Sequence, residues 1–74
     1  MADVQLDTKG MNCPLPILKA RKALKGMEPG GLLEVQATDP GATADFEAFC
    51  RQTGRELVKS SEADGIYTFL IRNA

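Results

Sequence analysis

VQLDTKGMNCPLPILKARKALKGMEPGGLLEVQA, residues 4–37, passes through two side-chain periodicities in turn, and their order decides the fold. Across Val4 to Thr8, Val4 and Leu6 alternate with Gln5 and Asp7, the period of two of a half-buried strand. Lys9 to Asn12 turns the chain. From Pro14 to Lys25 the apolar residues Ile17, Leu18, Ala20 and Leu24, followed by Met27, recur at helical spacing, with Lys19, Arg21, Lys22 and Lys25 on the other side. Gly26 supplies a C-terminal stop. After a turn at Glu28 to Gly31, Leu33, Val35 and Ala37 alternate with Glu34 and Gln36, a second strand that ends at Thr38.

Outward from this β-α-β unit the punctuation continues at short intervals. Thr38 or Asp39 caps a second helix with Pro40 in its first turn, running to about Thr53 on a stripe of Ala42, Phe46, Phe49 and Cys50. Gly54 ends it. Leu57, Val58 and their neighbours form a third strand, and Asp64-Gly65 makes a tight turn into a fourth, Ile66 to Arg72. The order β-α-β-α-β-β predicts an α/β protein: a two-layer α/β sandwich whose mixed four-stranded sheet carries both helices on one face. The fourth strand has apolar residues on both parities, Ile66 and Leu70 against Tyr67, Phe69 and Ile71. Either it is central, or its open face meets a partner.

Composition narrows the chemistry. Seventy-four residues, 43% hydrophobic, are enough for one core, so residues 1–74 read as a single domain. A chain of this size buries only about 60% of its unfolded surface, which places any chemistry near the surface. Histidine is absent from the sequence, which removes Ser/His and Cys/His catalytic pairs and most nitrogen-ligand metal sites. No metal and no cofactor are expected. The net charge of −1 and the pI near 5.2 speak against nucleic-acid binding through charge alone. The charge is polarised, however: residues 1–27 hold five Lys and Arg against two Asp, and the remainder four against eight acids. No apolar run is long enough to span a bilayer and the N-terminus lacks a signal-peptide pattern, so a cytoplasmic chain is expected, with its two cysteines reduced. A monomer is the expected state.

The residues that carry chemistry are Asn12-Cys13-Pro14-Leu15-Pro16, between the first strand and the first helix. With Asn12 as N-cap, Pro16 would interrupt the bond back to the Asn12 carbonyl, so Cys13 is the better N-cap, with Pro14 at the first helical position. A start at Pro16 with Leu15 as cap is the other solution. Either way Cys13 lies within a turn of a positive helix end, near four cations and with no acid between Pro14 and Lys25. The thiolate is therefore expected to be favoured over the thiol. Such a surface nucleophile can attack a persulfide sulfur, hold the terminal sulfur and pass it on, without a base, metal or pocket. A second cysteine two or three positions away, as in thioredoxin-like motifs, is missing. Cys50 shares a helical face with Phe46 and Phe49 and reads as a buried, inert thiol.

On these features the sequence resembles the TusA (SirA-like) sulfur-carrier family over essentially its whole length. Cys13-Pro14-Leu15-Pro16 follows a short first strand, a basic helix follows, Asp39-Pro40 opens the second helix and Phe49-Cys50 lies within it. The resemblance implies a persulfide on Cys13, with Pro14 and Pro16 setting the helix start that displays it. It also implies two protein partners, a cysteine desulfurase or rhodanese-like donor and an acceptor. Family members feed tRNA 2-thiouridine synthesis, cofactor assembly or the oxidation of reduced sulfur compounds.

Two other functional classes compete with that expectation. Lys19, Arg21, Lys22 and Lys25 are either a solvated face or a docking surface for an acidic partner, and in the second case helix 14–25 could serve a non-catalytic binding or regulatory module. An RNA-binding role has little support from few aromatics and an acidic pI, and direct contact with nucleic acid is not expected.

Overall fold

A computed structural model describes residues 2–74. Its elements are β1 (Val4–Thr8), α1 (Leu15–Lys25), β2 (Leu32–Ala37), α2 (Ala42–Thr53), β3 (Glu56–Ala63) and β4 (Ile66–Arg72). One four-stranded sheet has the order β1-β2-β4-β3. β1 pairs parallel with β2, β2 antiparallel with β4, and β3 antiparallel with β4, so the sheet is mixed as expected. A parallel pair needs a long crossover, which α1 provides for β1 and β2. The turn from β3 into β4 is tight because Asp64 and Gly65 both take positive φ, 53° and 79°, the backbone that a two-residue hairpin demands.

The alternation of β2 resolves into two faces. Leu33, Val35 and Ala37 are buried and stand beside Ile71, Phe69 and Tyr67 of β4, while Leu32, Glu34 and Gln36 lie on the open face. Ala20 and Leu24 of α1 and Ala42, Phe46, Phe49 and Cys50 of α2 join the same buried cluster, which places both helices on one face of the sheet. At its centre the Phe46 and Phe69 rings stack with centroids 4.7 Å apart. β4 is flanked on both sides by strands. Its even-numbered residues Ile66, Thr68 and Leu70 are half-buried on the open face, which accounts for apolar residues on both parities.

Three local expectations are corrected. Leu18 is 52% exposed and lies off the core stripe, which runs instead through Pro16, Ile17, Ala20, Ala23, Leu24 and Met27. The N-cap of α1 is Pro14, one residue later than Cys13, because the first helical bond runs from the Leu18 N–H to the Pro14 carbonyl at 3.1 Å. A turn closed by the Leu15 N–H on the Asn12 carbonyl, 2.9 Å, precedes it. Pro16 thus sits second in the helix, where an N–H has no intrahelical partner and its lack costs nothing. The second helix repeats the device: the Ala42 N–H closes a turn on the Asp39 carbonyl at 2.9 Å, and Gly41, not Thr38 or Asp39, is the N-cap. β3 is an exposed edge strand with a bulge at Val58, between Leu57 paired to Ile71 and Lys59 paired to Leu70.

Candidate functional site

The carboxyl ends of the parallel strands β1 and β2 lie side by side, Thr8 opposite Ala37. The loops that leave them, 9–14 and 38–41, carry the chain into α1 and α2. Ligands and reactive groups in α/β sheets gather beyond such strand ends. Here the first loop holds Cys13, exposed and unpaired. The second loop holds Asp39, and the first turn of α2 holds Asp45.

Several contacts fix the first loop. The Asp7 Oδ1 accepts the Lys9 N–H at 2.9 Å, and Gly10 takes a φ of 83°, the left-handed backbone open to glycine. The Met11 N–H donates to the Thr8 carbonyl at 3.1 Å. Two bonds tie the loop to the other strand end: the Gly10 N–H donates to Thr38 Oγ1 and the Cys13 N–H to Asp39 Oδ2, both at 2.9 Å. The Cys13–Pro14 peptide bond is cis. Pro14 is exposed and Pro16 is buried against the core, so of the two motif prolines only Pro16 anchors the helix start by packing.

The electrostatics of Cys13 run opposite to the sequence-based expectation. The thiol is pushed above the ordinary cysteine range, first by the neighbouring Asp45 carboxylate, an acceptor that favours the protonated form, then by desolvation and by the negative charges of Asp45 and Asp39. The basic residues of α1 do not offset this. At 1.5 Å rise per residue Lys19 lies about 6 Å along the axis from Leu15 and Lys25 about 15 Å, the latter beyond the screening length of physiological salt. No acid lies between Pro14 and Lys25, because the acids come from the loop after β2 and from the first turn of α2. The one local signal for Asp39 is the Asp39-Pro40 pair at a strand end, which also marks a helix start.

The four docking candidates divide. The Arg21 guanidinium stands 5.7 Å from the centroid of the buried Phe49 ring, and Arg55 covers the same ring at 5.7 Å, so Arg21 is partly a packing residue. Lys19, Lys22 and Lys25 are exposed and, among the described residues, form no ion pair. Spacings of three and four residues place them on one stripe with Leu15 and Leu18, which are 48% and 52% exposed. That stripe begins apolar at the Cys13 end and becomes basic along the helix. Cys50 is buried in the core, and burial raises its thiol despite the opposing charge of Arg55.

Surface hollows lie elsewhere, along the open sheet face at Glu34 and Gln36 and beside Gly26 to Gly31. Among the described residues no three His, Cys, Asp or Glu side chains are grouped to hold a metal ion, and no helix is long and apolar enough to cross a membrane.

Known proteins share the sequence and the fold of this chain. Residues 4–73 match the family model described as Sulfurtransferase TusA. The chain is 56% identical over 68 residues to a candidate sulfur carrier protein of Neisseria meningitidis serogroup A, covering 92% of each. It is 53% identical over 72 residues to the sulfur carrier protein TusA of Allochromatium vinosum, covering 97% of this chain and 95% of that one. The crystal structure of a SirA-like protein from Desulfitobacterium hafniense superposes with a TM-score of 0.82 at 25% identity, over 93% of this chain and 95% of the other. With a family model spanning nearly every residue and relatives of this identity along the whole length, the chain belongs to the TusA family of sulfur carriers.

Proposed function

We propose that Cys13 accepts sulfane sulfur as a persulfide from a donor protein, a cysteine desulfurase or rhodanese-like enzyme, and relays it to an acceptor protein. The acceptor belongs to tRNA 2-thiouridine synthesis or to sulfur oxidation and trafficking. The observation that carries this reading is an exposed thiol at the joined ends of two parallel strands, in a chain of a sulfur-carrier family. The Cys13 thiolate attacks the terminal sulfur of the donor persulfide. The donor S–S bond breaks, the donor thiolate leaves with its electron pair, and a new S–S bond forms on Cys13. One sulfane sulfur changes carrier and no external oxidant or reductant is consumed. The same exchange serves delivery with the role of Cys13 reversed: an acceptor thiolate attacks the outer sulfur, the S–S bond to Cys13 breaks, and Cys13 leaves as thiolate.

The surroundings suit transfer between proteins. Leu15 and Leu18 offer apolar surface beside the thiol, and Lys19, Lys22 and Lys25 extend it with positive charge that complements an acidic partner and speeds encounter. Pro14 and Pro16 keep Cys13 outside the helix and at its tip.

Intact mass tests the reading. After incubation with a cysteine desulfurase and cysteine, or with a rhodanese and thiosulfate, the wild type gains about 32 Da, removed by reductant, and Cys13→Ser gains nothing while its melting temperature stays put. No gain on the wild type with either donor overturns the carrier reading, and partner binding through α1 would then account for the exposed stripe.

A further inference from the structure

Outside Cys13 itself, the feature with the most unexplained chemistry is the dipeptide Thr38-Asp39 at the end of β2. Its two side chains reach across to the neighbouring loop and take one backbone N–H each. Thr38 Oγ1 accepts from Gly10 and Asp39 Oδ2 accepts from Cys13, both at 2.9 Å. The second Asp39 oxygen, Oδ1, accepts the Gly41 N–H at 3.1 Å, and the Asp39 carbonyl accepts the Ala42 N–H at 2.9 Å. The carboxylate is therefore held at the entrance of α2 while it holds Cys13. Gly10 and Cys13 bracket the loop, so the pair of bonds fixes both its bend and its reactive residue against a rigid strand end.

We infer that Thr38 and Asp39 form a two-point clamp, and that Asp39 is a positioning residue which orients Cys13 for sulfur transfer from a protein donor. The inference rests on the carrier reading. Three features support a role in orientation over a role in folding. Thr38 is exposed and Asp39 half-buried, so neither fills the core. Neither caps α2, whose N-cap is Gly41. The negative charge of Asp39 helps to raise the thiol, which lowers the supply of thiolate and serves reactivity poorly. A carboxylate that opposes ionisation yet grips the backbone of the reactive residue acts through geometry. In-line attack between two sulfurs, each fixed in its own protein, depends steeply on placement, and about 1 Å of misplacement is worth roughly a hundredfold in rate.

The test sets a small probe against a protein donor. Cys13 alkylation by iodoacetamide at pH 7 reports thiolate supply, since the reagent approaches from any direction. Single-turnover loading from a cysteine desulfurase, read by intact mass, reports orientation. For Asp39→Ala, alkylation is expected not to fall, since a carboxylate that opposes ionisation is lost, while loading falls tenfold or more. For Thr38→Val, which leaves the charge alone, alkylation stays within twofold and loading falls severalfold. Loading of Asp39→Ala within twofold of wild type overturns the inference, as does a loss in Asp39→Ala with Thr38→Val loading like wild type, because charge would then suffice. Should Asp39→Ala fail to fold, Thr38→Val decides alone. If the wild type itself gains no sulfur, the carrier reading has failed. Hydrogen exchange at the Gly10 and Cys13 amides then judges the clamp separately: exchange at least tenfold faster in the variants upholds it, and wild-type rates in the variants remove it.

Discussion

At one end of the sheet the Asn73 side chain reaches into the interior. Its amide nitrogen donates to the carbonyls of Leu24, Met27 and Glu28 at 2.9, 2.9 and 3.2 Å, and its oxygen accepts from Arg55 Nε at 2.9 Å. At the other end Asp39 and Thr38 hold the Cys13 loop with bonds of the same length, but on the surface. Both are side chains gripping backbone across the fold, and their energetics differ. Asn73 is 7% exposed, and its amide ties the last turn of α1 to the turn that follows it, a polar group that buried without these bonds would be costly. The Cys13 loop, if released, would find water. The first end therefore governs stability, and the second can govern the direction of a side chain at little cost to the fold.

Leucines of α1 sharpen this contrast most. Leu24, 1% exposed, lies at the closed end, and Leu18, 52% exposed, lies near the open one. Leu24→Ala is expected to lose about 2 to 5 kcal/mol of stability, a large share of the roughly 4 to 11 kcal/mol that a chain of this size commands. Leu18→Ala should stay within about 0.5 kcal/mol while weakening sulfur loading. Urea titration of both variants checks this. Equal losses would mean that Leu18 packs in solution and that the apolar stripe beside Cys13 is no docking surface.

Asn73→Ala comes next. Loss of this amide cuts the bonds that join the end of α1 to its following turn and takes the side-chain donor from the Met27 carbonyl, with an expected cost of about 1 to 3 kcal/mol and a fall in melting temperature of roughly 4 to 8 °C for each kcal/mol. The alkylation rate of Cys13 should not change. A change would couple the two ends and end the division of labour between them.

How far the sequence carried these conclusions follows from the same contrast. Element order was legible because strand and helix periods and the Gly and Pro signals are local: Val4–Thr8 and Ile66–Arg72 have the expected bounds. The stripe of Ala42, Phe46, Phe49 and Cys50 is buried as read. The exposed Cys13 was legible from its two prolines. The surroundings of Cys13 were not, since Asp39 lies 26 residues away and reaches it only through the pairing of β1 with β2. Charge counted along α1 thus gave the wrong direction for the thiol. The N-caps lie one to three residues from the expected positions because a turn closed by Asn12 or Asp39 precedes each helix, a choice that side-chain periodicity does not encode. Leu18 was misplaced because its neighbour Ile17 satisfies the same helical period on the buried side.

Asp45 provides the smallest and most selective test. Its carboxylate, which favours the protonated thiol as an acceptor, is the first cause of the upward shift at Cys13. Asp45→Asn removes the charge and keeps the shape, so the thiol should ionise at lower pH. The midpoint of the alkylation rate against pH should then move down and the rate at neutral pH should rise. Stability should shift little, because the thiol is exposed. The sign of what remains is fixed: a thiol raised by folding favours the native state below its unfolded value, and that preference fades as pH rises through the folded value. A midpoint that stays in place or moves upward in Asp45→Asn would assign control of the thiol to desolvation in the loop. The open end would then resemble the closed end after all, with burial deciding its chemistry.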